Sequence, residues 1–231
     1  MLPIVLVPGL LCTAEVFAPQ IAALWPRGPV TVASTLEGDT IADIAAAILA
    51  AAPPRFALAG ISMGGYICLE ILRQAPQRVV RLALLDTSAR PDTAEQTARR
   101  RATVASARNG AFLALAAESA RSQVHPGHVD DAHLQEVNAR MAAVVGLDAY
   151  ARQVEAIIGR SDSRPSLAAI AVPTLVLVGD SDTLTPPALA EELAAGIPGA
   201  RLAVVPKSGH LSTIEQPDAV NRALVEWISA A

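Results

Sequence analysis

Phe56-Ala57-Leu58-Ala59-Gly60-Ile61-Ser62-Met63-Gly64-Gly65, continued by Tyr66-Ile67-Cys68-Leu69-Glu70-Ile71-Leu72-Arg73, decides how the rest of the chain is read. It has the form of a buried strand, a sharp turn carrying one serine, and an amphipathic helix. Gly60-Ile61-Ser62-Met63-Gly64 fits G-x-S-x-G, in which a serine stands at the tip of a strained strand-to-helix turn. Side chains flanking such a turn would collide with the neighbouring strand or helix, and glycine removes them. The hydroxyl then stands clear of the sheet, at the positive end of the helix that begins just after it. Ser62 is therefore the candidate nucleophile. The bland alternative is a tight turn whose serine only caps a helix, and the rest of the chain must decide between the two.

The bulk numbers bound that decision. A chain of 231 residues is one large domain or two small ones and needs no disulfide staples. Apolar residues make up 52%, charged residues 17% and aromatics only 3%, the balance of a compact, alanine-rich globule. A net charge of −4 offers no electrostatic reason to expect a nucleic acid or an anionic membrane as partner. The one basic run, Arg99-Arg100-Arg101, lies in a helix-compatible stretch and reads as a solvated face. Cys12 and Cys68 lack the spacing of a disulfide framework; Cys68 reads as core and Cys12 as a thiol beside a candidate site loop. Leu2–Leu11 is apolar but follows no basic residue and is interrupted by Pro8-Gly9, unlike an export signal. The expectation is a cytoplasmic protein acting on a small molecule.

Outward from Ser62, short apolar runs alternate with helical ones. Strands are expected at 3–7, 30–33, 56–60, 79–85, 174–179 and 201–205. Helices are expected at 14–24, 41–51, 63–74, 187–195 and 217–229, with Asp39-Thr40 capping the second and Pro76 following the third. Such alternation predicts an α/β three-layer sandwich, helices on both faces of a mostly or fully parallel sheet of about six strands. Residues 87–172 break the pattern with helical material at 93–107, 110–122, 131–144 and 149–158. This block reads as a helical cap inserted between the fourth and fifth strands of a single domain spanning 1–231, lying over the sheet's carboxyl edge where ligands of open α/β sheets bind.

A serine hydroxyl needs a base, and the base needs an orienting group. Of the four histidines, His125, His128 and His133 fall in the insertion at spacings unlike a helical zinc pair and read as solvated. His210 follows the last strand, in Pro206-Lys207-Ser208-Gly209-His210-Leu211, on the same sheet edge as Ser62. Three aspartates also end strands there: Asp86, Asp180 and Asp182. All three satisfy the order serine, acid, histidine, so order alone does not choose.

Together, Val5-Leu6-Val7-Pro8-Gly9-Leu10-Leu11, Gly60-Ile61-Ser62-Met63-Gly64-Gly65, Val178-Gly179-Asp180-Ser181-Asp182-Thr183-Leu184-Thr185-Pro186 and Ser208-Gly209-His210 resemble the alpha/beta-hydrolase superfamily. The resemblance spans nearly the whole chain and is nearest to small esterase-like members with a helical cap. It implies that Asp182, the later aspartate, is the acid. It also implies an oxyanion hole built from the backbone N–H groups of Leu10 and Met63. Two departures stand out. Pro8-Gly9 replaces the family's usual His-Gly, and the first strand here corresponds to the family's third, so no antiparallel edge is expected.

The resulting expectation is a serine hydrolase that cleaves an ester, thioester or lactone through an acyl-enzyme, with no metal or organic cofactor. The same residues also serve carbon–carbon bond hydrolases, lyases or synthases, and small-molecule receptors, since a fold does not fix an activity. Sparse aromatics and an alanine-rich cap point to a small or aliphatic acyl group.

Overall fold

The computed structural model describes residues 1–230. Strands β1 (Ile4–Val7), β2 (Val30–Val32), β3 (Phe56–Ile61), β4 (Val79–Leu85), β5 (Thr174–Gly179) and β6 (Arg201–Val205) form one sheet in the order β2-β1-β3-β4-β5-β6. Every recorded pairing is parallel, including the edges. The chain reverses its direction of travel across the sheet between β1 and β3. Their carboxyl ends thus form the switch point at which open α/β sheets bind ligands.

Alternating strand residues build two apolar layers. Val5 and Val7 join Leu58, Leu84 and Val176 on one face; Ile4 and Leu6 join Ala59, Leu85 and Leu177 on the other. Helices α1 (Ala18–Leu24), α2 (Ile41–Ala51) and α3 (Met63–Gln74) cover the strands that precede or follow them. Phe17, just before α1, and Leu24, at its end, pack on the second layer, whereas Ile44 of α2 and Ile67 and Ile71 of α3 pack on the first. Thr40 begins α2 by accepting the Asp43 N–H at 3.0 Å.

Three helices separate β4 from β5: α4 (Ala94–Ser106), α5 (Phe112–Gln123) and α6 (Ala132–Ile158). The chain closes with α7 (Pro187–Gly196), a short turn α8 (Ser212–Glu215) and α9 (Pro217–Ser229). Thr93 and Gln96 form a reciprocal capping box on α4, and Asp131 caps α6 through the N–H groups of His133 and Leu134. Two details depart from the sequence reading. The 14–24 stretch opens with a 3-10 turn, Ala14–Phe17, because the Phe17-Ala18-Pro19 junction resets the helix. The two helices expected at 131–144 and 149–158 are present as the two arms of α6, parted at Gly146, whose φ of 71° and ψ of 168° leave helical geometry and whose positive φ only glycine adopts cheaply. The α8 turn was not expected at all. No described helix is long and apolar enough to cross a membrane.

Candidate active site

Ser62 sits between β3 and α3 with φ 55° and ψ −119°, a left-handed conformation that a non-glycine residue holds only when its surroundings enforce it. Those surroundings are tight. A Cβ on Gly64 would lie 2.0 Å from the Val7 carbonyl oxygen, and one on Gly60 would lie 2.4 Å from that of Gly64. The absence of side chains lets α3 press onto the end of β1. The Ser62 N–H donates to the Leu85 carbonyl at 2.9 Å, and the Thr87 hydroxyl donates to the Ser62 carbonyl at 2.8 Å. Strain is thereby held in place from both neighbouring strands.

The Ser62 hydroxyl lies 2.8 Å from His210 Nε2, and His210 Nδ1 lies 2.8 Å from Asp182 Oδ2. His210 and Asp182 are both buried. With the proton on Nδ1, the ring donates to Asp182 and accepts from Ser62. Asp182 is locked in turn: its Oδ1 accepts from the N–H groups of Leu184 and Thr185, and its Oδ2 from the Thr185 hydroxyl. Burial alone would raise its pKa, but the hydrogen bond and charge of His210 and the Thr185 donors outweigh that and hold the carboxyl below its ordinary value. For His210, burial alone would lower the pKa; the Asp182 hydrogen bond and charge reverse this, and the net direction is upward.

The structure separates the three aspartates. Asp180 turns away and binds the N–H groups of Lys207 and Ser208 and the Ser181 hydroxyl, joining two loops. Asp86 is fully buried, accepting from the Gly179 N–H at 2.9 Å and from the Ser212 hydroxyl. Burial and then the nearby charge of Asp182 push its pKa up to about 8, so it is mostly protonated at neutral pH. Because Asp86 carries little charge there, the elevation of the His210 pKa rests first on Asp182, with the Glu215 carboxylate adding to it. A folded pKa above the ordinary 3.8 means that folding favours the protonated acid: the stabilisation is complete below pH 3.8 and is lost as pH rises toward 8. Asp86→Asn removes that dependence. The melting temperature of the variant minus that of the wild type is expected to climb steadily between pH 4 and pH 8, as a set of thermal melts across that range will show.

The loop after β1 adjoins the serine: a Cβ on Gly9 would meet Ser62 Cβ at 3.2 Å. The amides of Leu10 and Met63 have no protein acceptor among the described residues; Met63 directly follows Ser62, and Leu10 lines the cavity onto which Ser62 opens. Pro8 cannot donate a hydrogen bond, and this loop is fastened by other means. Cys12 N–H donates to the Gly9 carbonyl, and Leu11, at φ 59°, donates its N–H to Gln153 Oε1 at 3.2 Å. Gln153, buried on α6, donates onward to the Thr35 carbonyl at 3.0 Å. The Cys12 thiol is buried, which pushes its pKa up to about 12, so it is no reactive thiolate.

Several other residues take places the sequence did not reveal. Glu215 is buried beneath the His210 loop, where Oε1 accepts the Gly209 N–H and Oε2 accepts the His125 N–H. His128 Nδ1 also reaches Glu215, at 3.0 Å, so His125 and His128 are half-buried supports of that loop instead of solvated residues; His133 is exposed. Ser62, His210 and Leu10 open onto a cavity of about 690 Å³ roofed by α4, α5 and α6. A second cavity, of about 70 Å³, touches neither Ser62 nor His210.

The sequence profile described as "Alpha/beta hydrolase family" matches residues 4–223. The chain belongs to the alpha/beta hydrolase family. Among solved structures, this alpha/beta hydrolase superposes on a thermophilic esterase from Thermogutta terrifontis with TM-score 0.88 and 27% identity, covering 99% of this chain and 89% of the other. An enol-lactonase from Burkholderia xenovorans LB400 also gives TM-score 0.88 at 27% identity, covering 98% and 91%. A Mycobacterium tuberculosis protein with the provisional name non-heme bromoperoxidase BpoC is 29% identical over 211 residues, 82% of this hydrolase and 74% of the relative.

Proposed function

We propose that this alpha/beta hydrolase cleaves a small-molecule carboxylic ester, open-chain or cyclic, through an acyl-enzyme on Ser62. His210 removes the hydroxyl proton as Oγ attacks the carbonyl carbon, while Asp182 holds the ring tautomer and stabilises the imidazolium. The amides of Leu10 and Met63 receive the developing oxyanion, at the positive end of α3. His210 then protonates the leaving alcohol, and a water activated by the same imidazole releases the acid. The observation that carries this reading is the continuous Ser62–His210–Asp182 hydrogen-bond chain facing a cavity large enough for a substrate. The esterase and enol-lactonase likenesses support the ester linkage in particular, since a lactone is a cyclic ester. The helices from α4 to α6 serve as the cap that excludes bulk water from that cavity.

A fluorophosphonate probe is expected to add one adduct per chain, on Ser62, by intact-mass and peptide spectrometry; no adduct sinks the assignment. Turnover of matched esters, thioesters and lactones then ranks the leaving groups. The rate of labelling requires neutral His210, whose pKa lies above the ordinary 6.5. The acid limb of the labelling profile is therefore expected to have its midpoint above pH 6.5, with reactivity rising as pH increases through it. A midpoint below 6.5 would show that burial, not Asp182, dominates the imidazole.

A further inference from the structure

Four arginines, Arg90, Arg99, Arg100 and Arg160, line the cavity over Ser62, against a single carboxylate, Asp92. This occurs in a chain whose net charge is −4, so the excess of positive charge is local to the cavity. Arg90 is matched by Glu192, which lies outside the lining. Arg100 and Arg160 both converge on Asp92, each at 2.7 Å, and the Asp92 side chain is 1% exposed. One guanidinium would neutralise that carboxylate; the second leaves a positive charge over. Arg160 is held by three further restraints. It donates to the Ile157 and Arg90 carbonyls and stacks 4.3 Å over the Tyr66 ring. Arg100 spends only its Nε on Asp92, and its two terminal nitrogens have no acceptor among the described residues. Asp92 thus orients a planar fork whose free side belongs to the cavity, the arrangement that suits bidentate carboxylate recognition.

Resting on the hydrolase reading above, we propose that this arginine group is the subsite for a carboxylate carried by the substrate, so that the enzyme acts on half-esters of dicarboxylic acids. Position sets the length. Tyr66 follows Ser62 by four residues on α3, about 6 Å along the axis, and Arg160 lies over its ring. The anion therefore sits on the order of 10 Å from the serine hydroxyl; at about 1.2 Å per bond, and with about 3 Å between hydroxyl and carbonyl carbon, that distance suits an acyl chain of about six carbons, the longest of the series tested below. This replaces the expectation of a plain aliphatic acyl group, and it makes Arg100 an inward residue where the Arg99–Arg101 run suggested a solvated face.

The test compares monomethyl succinate, glutarate and adipate with the methyl esters of butyrate, valerate and hexanoate, in wild type, Arg100→Gln and Arg100→Lys. Wild type is expected to favour at least one half-ester over its neutral counterpart by about 10²-fold in kcat/KM, chiefly through KM. Arg100→Gln is expected to bring that ratio down toward one, and Arg100→Lys to an intermediate value. A wild-type ratio at or below one, or a ratio that Arg100→Gln leaves intact, overturns the subsite whatever the variants do to folding. Two arms separate this from failure of the hydrolase reading. Calorimetric binding of glutarate or adipate to Ser62→Ala reads the arginines without chemistry, whereas fluorophosphonate labelling reads Ser62 without the arginines. Labelling without dicarboxylate binding discards the subsite alone; binding without labelling discards the nucleophile and keeps the subsite.

Discussion

Ser62→Ala is expected to lower ester turnover by about 10⁶. The variant removes the atom that forms the covalent bond, and nothing nearby replaces it: the Cys12 thiol is buried and protonated, and the Thr87 hydroxyl is committed to the Ser62 carbonyl. What survives is the contribution of binding and of the Leu10 and Met63 amides, which in comparable sites leaves about 10³–10⁴ over the uncatalysed rate. The fold should tolerate the change. Alanine meets the same strain at φ 55° as serine, and only the hydrogen bond to His210 is lost, about 1 kcal/mol. Steady-state hydrolysis, with residual activity titrated by the fluorophosphonate to exclude contaminating wild type, reads the loss. A drop of less than tenfold would mean that Oγ is not the attacking atom.

Asp182→Asn is the second large effect, expected at about 10⁴ in kcat, since the loss arises from tautomer and not from charge alone. An asparagine amide can donate to Nδ1, which shifts the ring proton to Nε2, and Nε2 then no longer accepts from Ser62. The Thr185 and Leu184 donors that now fix Asp182 would favour keeping the carbonyl oxygen toward the backbone, aiming the amide nitrogen at His210. Asp180→Asn, one turn away, is expected to stay within a few fold of wild type, because Asp180 contacts only its own loops. The pair of measurements separates the two neighbouring aspartates. Combining Asp182→Asn with Ser62→Ala should add little to the serine variant, since the residues act as a unit. Equal losses from the two asparagine variants would contradict the observed geometry.

Much of this architecture was legible in the amino-acid order. Strand β5 ends where its continuous apolar run ends, because a strand buried on both faces must be apolar throughout; β6, at the sheet edge, matches its run although most of its residues are only partly buried. Helix α2 begins where Thr40 can cap it and α3 begins after the serine, both as read. The position of Ser62 and His210 on one sheet edge follows from parallel topology alone. Choosing Asp182 among three strand-end aspartates rested on family resemblance, not on spacing. What stayed hidden were the buried polar residues whose partners lie far off in sequence. Gln153 bonds Leu11 across 142 positions, and Glu215 bonds His125 across 90. In the sequence Gln153 is an ordinary polar residue of an expected helix, and Glu215 an ordinary polar residue just ahead of the last one. Arg100 was concealed differently: within a run of three arginines, only the packing of α4 tells which of them faces inward. The break expected between 144 and 149 falls at Gly146, where the backbone leaves helical geometry.

The fastening of the helices above the sheet has a mechanical corollary. The end of α5 holds the base, through the His210 N–H donated to the Gln123 carbonyl at 2.6 Å, and the His125 N–H just beyond α5 is clamped by Glu215. At the opposite rim, Gln153 on α6 holds Leu11. Lifting the roof as one rigid shutter would break all three links, at about 1 kcal/mol each or more, and would disturb the His210 loop and the Leu10–Leu11 loop together. The α4–α5 joint at Asn109 and Gly110, where the backbone leaves helical geometry, carries none of these three links. The same helices that enclose the cavity thus brace two separate loops beside Ser62, so a disturbance of the roof as a whole would be felt at both.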